Sequence, residues 1–270
     1  MPTQPEDRPS SAAITIVSEA SGSAIGAALG LLVAGPVGAV GGAALGPLLS
    51  SALKKVVADI QKRLLAPREE LRIATTLTYA VERIQERLSH GDSPRSDNFA
   101  EATDHERSAA EELAEGVLRA AQREYEERKV PFYGALLANI AFSPQVDRPY
   151  ANFLLRTAER LSFRQLALLA FLSEYPKLGI AFERRPISSV NGVVAGVRED
   201  LLQEIEELSR LQLVSLRDVV HHVLFVPEEY NLMTTGRLLI KLMELERIDP
   251  VDFAEFIRLA QAKTTKYRGA

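Results

Sequence analysis

The residues that most often carry chemistry are few in this chain, and their spacing does not suit them to it. The four histidines are His90, His105, His221 and His222. On a strand the adjacent pair points to opposite faces, so the two cannot hold one ion without distortion. His90 falls in turn-forming sequence and His105 among charged residues. The chain has no cysteine, which excludes disulfide frameworks and thiolate metal sites. It contains no P-loop, G-x-S-x-G elbow, H-E-x-x-H pair or dinucleotide glycine fingerprint. The glycines of residues 35 to 46 are not a phosphate cradle, because no Lys-Ser/Thr follows them. The chain therefore reads as a non-enzyme, with no catalytic residue, cofactor or metal expected.

The patterned feature is glycine. From Ala20 to Leu53 there is no charged residue, a run of 34 positions holding eight of the 16 glycines. Gly22, Gly26 and Gly30 are four apart, as are Gly38, Gly42 and Gly46. Each triplet lies along one helix face, where small residues let backbones approach closely in lipid. Between the triplets stand Gly35 and Pro36, where the proline ring breaks the i to i−4 ladder and gives a kink or a hairpin. A hairpin would bring 30 to 38, 26 to 42 and 22 to 46 in one register. Each arm of about 12 residues would be only about 18 Å long against a hydrocarbon core of about 30 Å. A single kinked helix of about 25 to 30 residues would span, with its glycines used between protomers. Both arrangements stay open. As a soluble core helix the run is poor, since each glycine costs about 1 kcal/mol against alanine.

Several elements must position this segment. Residues 1–19 carry Glu6, Asp7 and Arg8 before any apolar run, unlike a secretory signal. Lys54, Lys55, Lys62 and Arg63 follow the run, so the positive-inside rule keeps the large C-terminal part of the chain in the cytoplasm. Residues 54–160 predict a helical region. Pro67 separates two helices, 91–98 form a loop, roughly 99–129 form one charged helix with a solvated face, and 131–142 form a short buried helix. Asp147 and Ser162 read as helix caps. Beyond them come a helix at 198–210 running into an extended segment, a strand at 219–226, a helix after Gly236, and a last amphipathic helix at roughly 250–263 using Phe253 and Phe256. The expected fold is mainly α, with a 1–19 tail, a 20–53 apolar segment, a 54–160 helical region, a 161–246 domain with a small β-hairpin, and a 247–270 helix and tail.

The 20–53 block resembles the glycine-zipper segments of membrane-inserting bacterial proteins. Residues 161–246 resemble the winged-helix domain, with Leu232-Met233-Thr234-Thr235-Gly236 standing near the Leu-Thr-x-x-Gly-like turn that opens that fold's closing helix. In a DNA-binding member the 198–210 helix would enter the major groove. Here it presents Glu199, Asp200, Glu204, Glu206 and Glu207 against Arg198 and Arg210, which argues against duplex DNA as a partner. The net charge of −4 likewise supplies no bulk positive field.

The layout as a whole resembles the cytoplasmic-membrane effectors of bacterial antiphage defence, among them the channel-forming effectors of the Hailong system. That resemblance implies a homo-oligomeric, pore-forming ion channel whose cytoplasmic helices sense a signal, such as a nucleotide or a single-stranded nucleic acid. Its partners would be the membrane and further copies of itself, and a zipper sequestered in the oligomer would keep it soluble before activation. Basic positions that could meet an anionic ligand are Arg68, Arg72, Arg184 and Arg185, although an arginine at any one of them is more often an ordinary solvated surface charge. The alternative functions are a soluble helical scaffold and a winged-helix regulator that binds DNA.

Overall fold

A computed structural model describes residues 47–61, 65–178, 199–216, 225 and 227–261. Among them are nine α-helices and one two-stranded sheet, so the protein is mainly helical. The chain divides into two compact units, Met1–Arg160 and Leu161–Ala270.

The first unit contains helices α1 (Pro47–Gln61), α2 (Pro67–Ser89), α3 (Ala109–Arg123), α4 (Val130–Ile140) and α5 (Arg148–Arg160). Pro67 stands in the first turn of α2, where its missing N–H costs nothing and its φ is already helical. Every residue from Ile73 to Val81 is buried, which makes α2 the central helix, enclosed on all faces rather than along one stripe. The second enclosed helix, α4, packs on it. Gly134 makes their approach possible, because a Cβ there would stand 2.5 Å from the Thr76 carbonyl oxygen. The 131–142 segment is thus the buried helix its composition demands.

The single charged helix expected over 99–129 is instead three pieces. Asn98–Ala100 and Glu127–Lys129 are 3₁₀ turns, and only Ala109–Arg123 is α-helical. Local side-chain bonds explain the division. The Thr103 hydroxyl accepts from the Glu106 N–H, and Ser108 caps α3 by accepting from the Glu111 N–H, both at 3.1 Å. Such bonds offer the backbone an alternative to continued helix. The face of α3 is not simply solvated either, since Glu111, Leu113, Ala114, Val117 and Leu118 are buried. Arg95 ties down the preceding loop. Its guanidinium donates to Asp97 at 2.7 Å and to the Val146 carbonyl at 2.9 Å, and lies 3.7 Å over the Phe99 ring.

The second unit contains α6 (Phe163–Glu174), α7 (Glu199–Arg210), β1 (Val214–Leu216), β2 (Tyr230–Leu232), α8 (Thr234–Met243) and α9 (Ala254–Gln261). Ser162 caps α6, and Gln165 completes a capping box. At the centre of the unit Phe171 meets the rings of Phe225, Phe253 and Phe256 at 6.0, 5.9 and 5.6 Å. The strands pair antiparallel, with Val214 opposite Leu232 and Leu216 opposite Tyr230. The strand expected at 219–226 lies outside the described residues apart from Phe225. The strand at 230–232 falls where Tyr230 and Leu232 alternate with polar residues. Helix α8 starts after Met233, which makes no side-chain capping bond. Gly236 is fixed by close approach, for a Cβ there would sit 2.2 Å from the Leu213 carbonyl oxygen.

Candidate functional site

Of the residues singled out for binding, Gly22, Gly26, Gly30, Gly35, Pro36, Gly38, Gly42, Gly46, Arg184 and Arg185 lie outside the described residues. Arg68 and Arg72 lie within them. Four residues apart on α2, these two share one helix edge, and that edge faces the turn joining α3 to α4. Arg68 reaches Glu127 at 2.6 Å, an ion pair open to solvent. Arg72 donates to the Glu124 carbonyl and so satisfies the end of α3, while its buried Nε has no hydrogen-bond partner among the described residues. The structure therefore brings the two arginines together but gives them different work. Only Arg68 could exchange its carboxylate for another anion at little cost, since an exposed pair contributes about 1 kcal/mol at most.

Behind them is a buried polar cluster that the sequence did not suggest. Lys129 pairs with Glu124 at 2.6 Å, and the Tyr133 hydroxyl donates to the same carboxylate at 2.8 Å. Burial pushes the Glu124 carboxyl up, but Lys129, the Glu126 N–H and Tyr133 outweigh it and leave the group below its ordinary value. Burial, followed by the charge of Glu124, holds the Tyr133 phenol far above its ordinary range. Neither group exchanges a proton near neutrality, so the cluster anchors the 124–133 corner and does not act as an acid or base.

A similar cluster organises the second unit. Arg164 donates to Asp200 at 3.0 Å, to Glu204 at 2.8 Å and to Glu255 at 3.1 Å, and Gln165 donates to Glu207 at 2.8 Å. The acidic residues of α7 were expected to repel an outside phosphate, yet most of them turn inward to this arginine and glutamine. Among the α7 residues from Asp200 on, those left exposed are Gln203, Glu206, Ser209 and Arg210, and Arg210 is already paired with Glu206 at 2.6 Å. Beside them a groove of about 350 Å³ is lined by Leu202, Ile205, Val214, Leu216 and Tyr230. Burial, then Glu229, pushes the Tyr230 phenol up to about 12.

The apolar site of most consequence is the seat of α1. Ala52, Leu53, Val56, Val57 and Ile60 form one stripe, all buried, and the last four pack with Ile73, Ala74 and Leu77 of α2 and Ala114 and Leu118 of α3. Lys55, on the outer face, pairs with Glu111 at 3.1 Å. A small apolar cleft of about 30 Å³ remains beneath Ala52 and Leu53, walled by Ile84, Phe99 and Leu137. The uncharged run of the sequence thus ends inside a helix, and the expected boundary at Lys54 falls within α1. The i, i+4 spacing of Leu53, Val57 and Ala52, Val56 was readable as a helical stripe, but its destination was not.

No helix among the described residues is long and apolar enough to cross a membrane, and no group of His, Asp or Glu among them could hold a metal ion. No family model, curated protein or solved structure matches the chain.

Proposed function

We propose that this chain is a membrane-inserting, self-associating protein of the pore-forming type, anchored in a bacterial inner membrane through residues 20–46 with its helical units on the cytoplasmic side. The resemblance in layout to antiphage effectors supplies the biological setting and a nucleotide or single-stranded nucleic-acid signal as the gating input. One observation carries the reading. The glycine-patterned run continues without a charge into α1, a helix seated in the first unit by five buried side chains. Any change in the helical unit that moves α1 thereby acts on the segment attached to it. The order α6, α7, β1, β2, α8, with Gly236 closed against Leu213, supports a winged-helix reading of the second unit, whose α7 offers phosphates no unpaired exposed arginine.

Dye release from liposomes tests the reading. Gly26→Leu and Gly42→Leu keep or raise hydrophobicity while forcing backbones apart, so leakage should fall although membrane association persists. Leu29→Ala should be milder. Glycine variants that leak as freely as the parent would end the zipper mechanism. A soluble scaffold is the second reading, favoured because α1 already satisfies its apolar stripe in protein. Recovery of the parent wholly in the soluble fraction, with no binding to vesicles, would select it.

A further inference from the structure

The stripe of α1 can serve only one surface at a time. Ala52, Leu53, Val56, Val57 and Ile60 are the residues that would face lipid if α1 lay as an interfacial helix beside an inserted segment, with Lys54 and Lys55 at the headgroups. They are also the residues buried against α2 and α3. Seating in the protein and immersion in lipid are therefore mutually exclusive. We propose that α1 is a releasable latch, seated on α2 and α3 in the resting protein and freed to lay this same stripe on an anionic membrane surface. The proposal rests on the membrane reading above and adds its control.

Apolar burial alone barely separates the two positions, because removing an area from water gains a similar amount in either place. Polar contacts and packing defects must decide. One polar contact of α1 is Lys55 to Glu111, whose carboxylate side chain is 9% exposed and also receives Arg107 at 3.4 Å. It joins residues 56 apart in sequence and is broken once α1 leaves, Glu111 then keeping Arg107 and Lys55 meeting anionic headgroups instead. The cleft of about 30 Å³ under Ala52 and Leu53 forfeits part of the dispersion energy a filled seat would hold. The seat is thus held by a switchable ion pair over an imperfectly filled floor, and a ligand or partner that biases either state shifts the population.

The cysteine-free chain makes a clean test. Val57→Cys places a thiol at a position 0% exposed within the seat, and Ala138→Cys places one in α4, also 0% exposed, to report opening of the whole unit. Glu111→Lys, which leaves α1 itself unaltered, should raise alkylation at the first thiol roughly tenfold, from loss of attraction plus like-charge repulsion. Alkylation at the second thiol should not change. Adding Lys55→Glu to Glu111→Lys should restore protection. Binding to vesicles of phosphatidylethanolamine and phosphatidylglycerol should rise with release. Unchanged labelling of the α1 thiol, equal acceleration at both thiols, or no rescue by the reversed pair would overturn the latch. Release without increased vesicle binding would overturn the membrane destination of α1 and with it the latch, while the anchoring by residues 20–46 is decided separately by the dye-release comparison.

Discussion

Replacing Gly134 by alanine should destabilise the first unit even though alanine is the better helix former, and the structure sets the size of the effect. The added Cβ would lie 2.5 Å from the Thr76 carbonyl oxygen and 3.1 Å from the Ala80 nitrogen. Residues 76 and 80 are four apart in α2, so the methyl lands on a helical hydrogen bond between backbone atoms that cannot rotate away. The two most enclosed helices must separate by several tenths of an ångström, a form of overpacking that costs about 1 to 3 kcal/mol. Both of these contacts are to backbone, so the upper part of that range, about 2 to 3 kcal/mol, applies; helix propensity returns about 1 kcal/mol, leaving a net loss of about 1 to 2. Gly116 supplies the contrast. Its Cβ would meet only the Leu155 Cδ2 atom, at 2.7 Å. That is the end of a flexible side chain, so Gly116→Ala should fall within about 1 kcal/mol of neutral. Amide hydrogen exchange resolved over α2 and α4 reads this directly, and Gly134→Ala should raise exchange there by about 5- to 30-fold. Equal exchange in the two variants, or a more protected Gly134→Ala protein, would refute the close-packing argument.

The ion-pair clusters around Arg164 and Glu124 give two further expectations. Burial raises the Glu204 carboxyl, with Arg164 opposing. Stability carried by a raised group is present at low pH and lost as pH climbs through its folded value. Arg164→Ala should therefore cost little at about pH 4 and more at about pH 7 by thermal unfolding, and a deficit independent of pH would contradict this. Glu124 has the opposite sign. Its lowered value means stability is present above the ordinary carboxyl value of 4.5 and is lost as pH falls through the folded one. Tyr133→Phe removes one donor to it, costs about 1 to 2 kcal/mol at neutral pH, and should move the onset of acid unfolding upward. An acid midpoint unchanged from the parent would show that the phenol does not hold the carboxylate.

Local signals in the sequence were reliable wherever the physics was local. Ser162 and Asp147 cap the helices they precede, Pro67 opens α2, and the short apolar run at 131–142 is a buried helix, because caps, proline geometry and hydrophobic runs act within a few residues. What escaped was set by partners far along the chain. Arg164 meets Asp200, Glu204 and Glu255 across 36, 40 and 91 residues, and no spacing rule connects such positions. Reading α7 by charge alone turned its acids toward solvent, whereas Leu201, Ile205 and Leu208 fix its inward face and carry Asp200, Glu204 and Glu207 to the edge of that face. Of the candidate anion-binding arginines, Arg72 has its carbonyl partner supplied by the end of α3, again a contact between distant segments.

The start of α1 bears on how the glycine segment could meet a membrane. Composition changes at Lys54, but packing changes earlier, since a helix that begins at Pro47 has Ala52 and Leu53 already committed to protein. While α1 remains seated, the uncharged residues free to enter lipid are those from Ala20 to Gly46. As one helix rising about 1.5 Å per residue they would extend about 40 Å, enough to cross a hydrocarbon core of about 30 Å with tilt or a kink at Gly35 and Pro36. Folded back at that point, neither half would reach across. A hairpin is thus compatible with a seated α1 only as a surface-lying or oligomer-buried element, whereas a single crossing is compatible with α1 seated throughout. Release of α1 would add seven apolar or neutral positions, Pro47 to Leu53, to the membrane side. If residues 20–46 enter a membrane as proposed, the seating of α1 sets the length of chain that the membrane can receive.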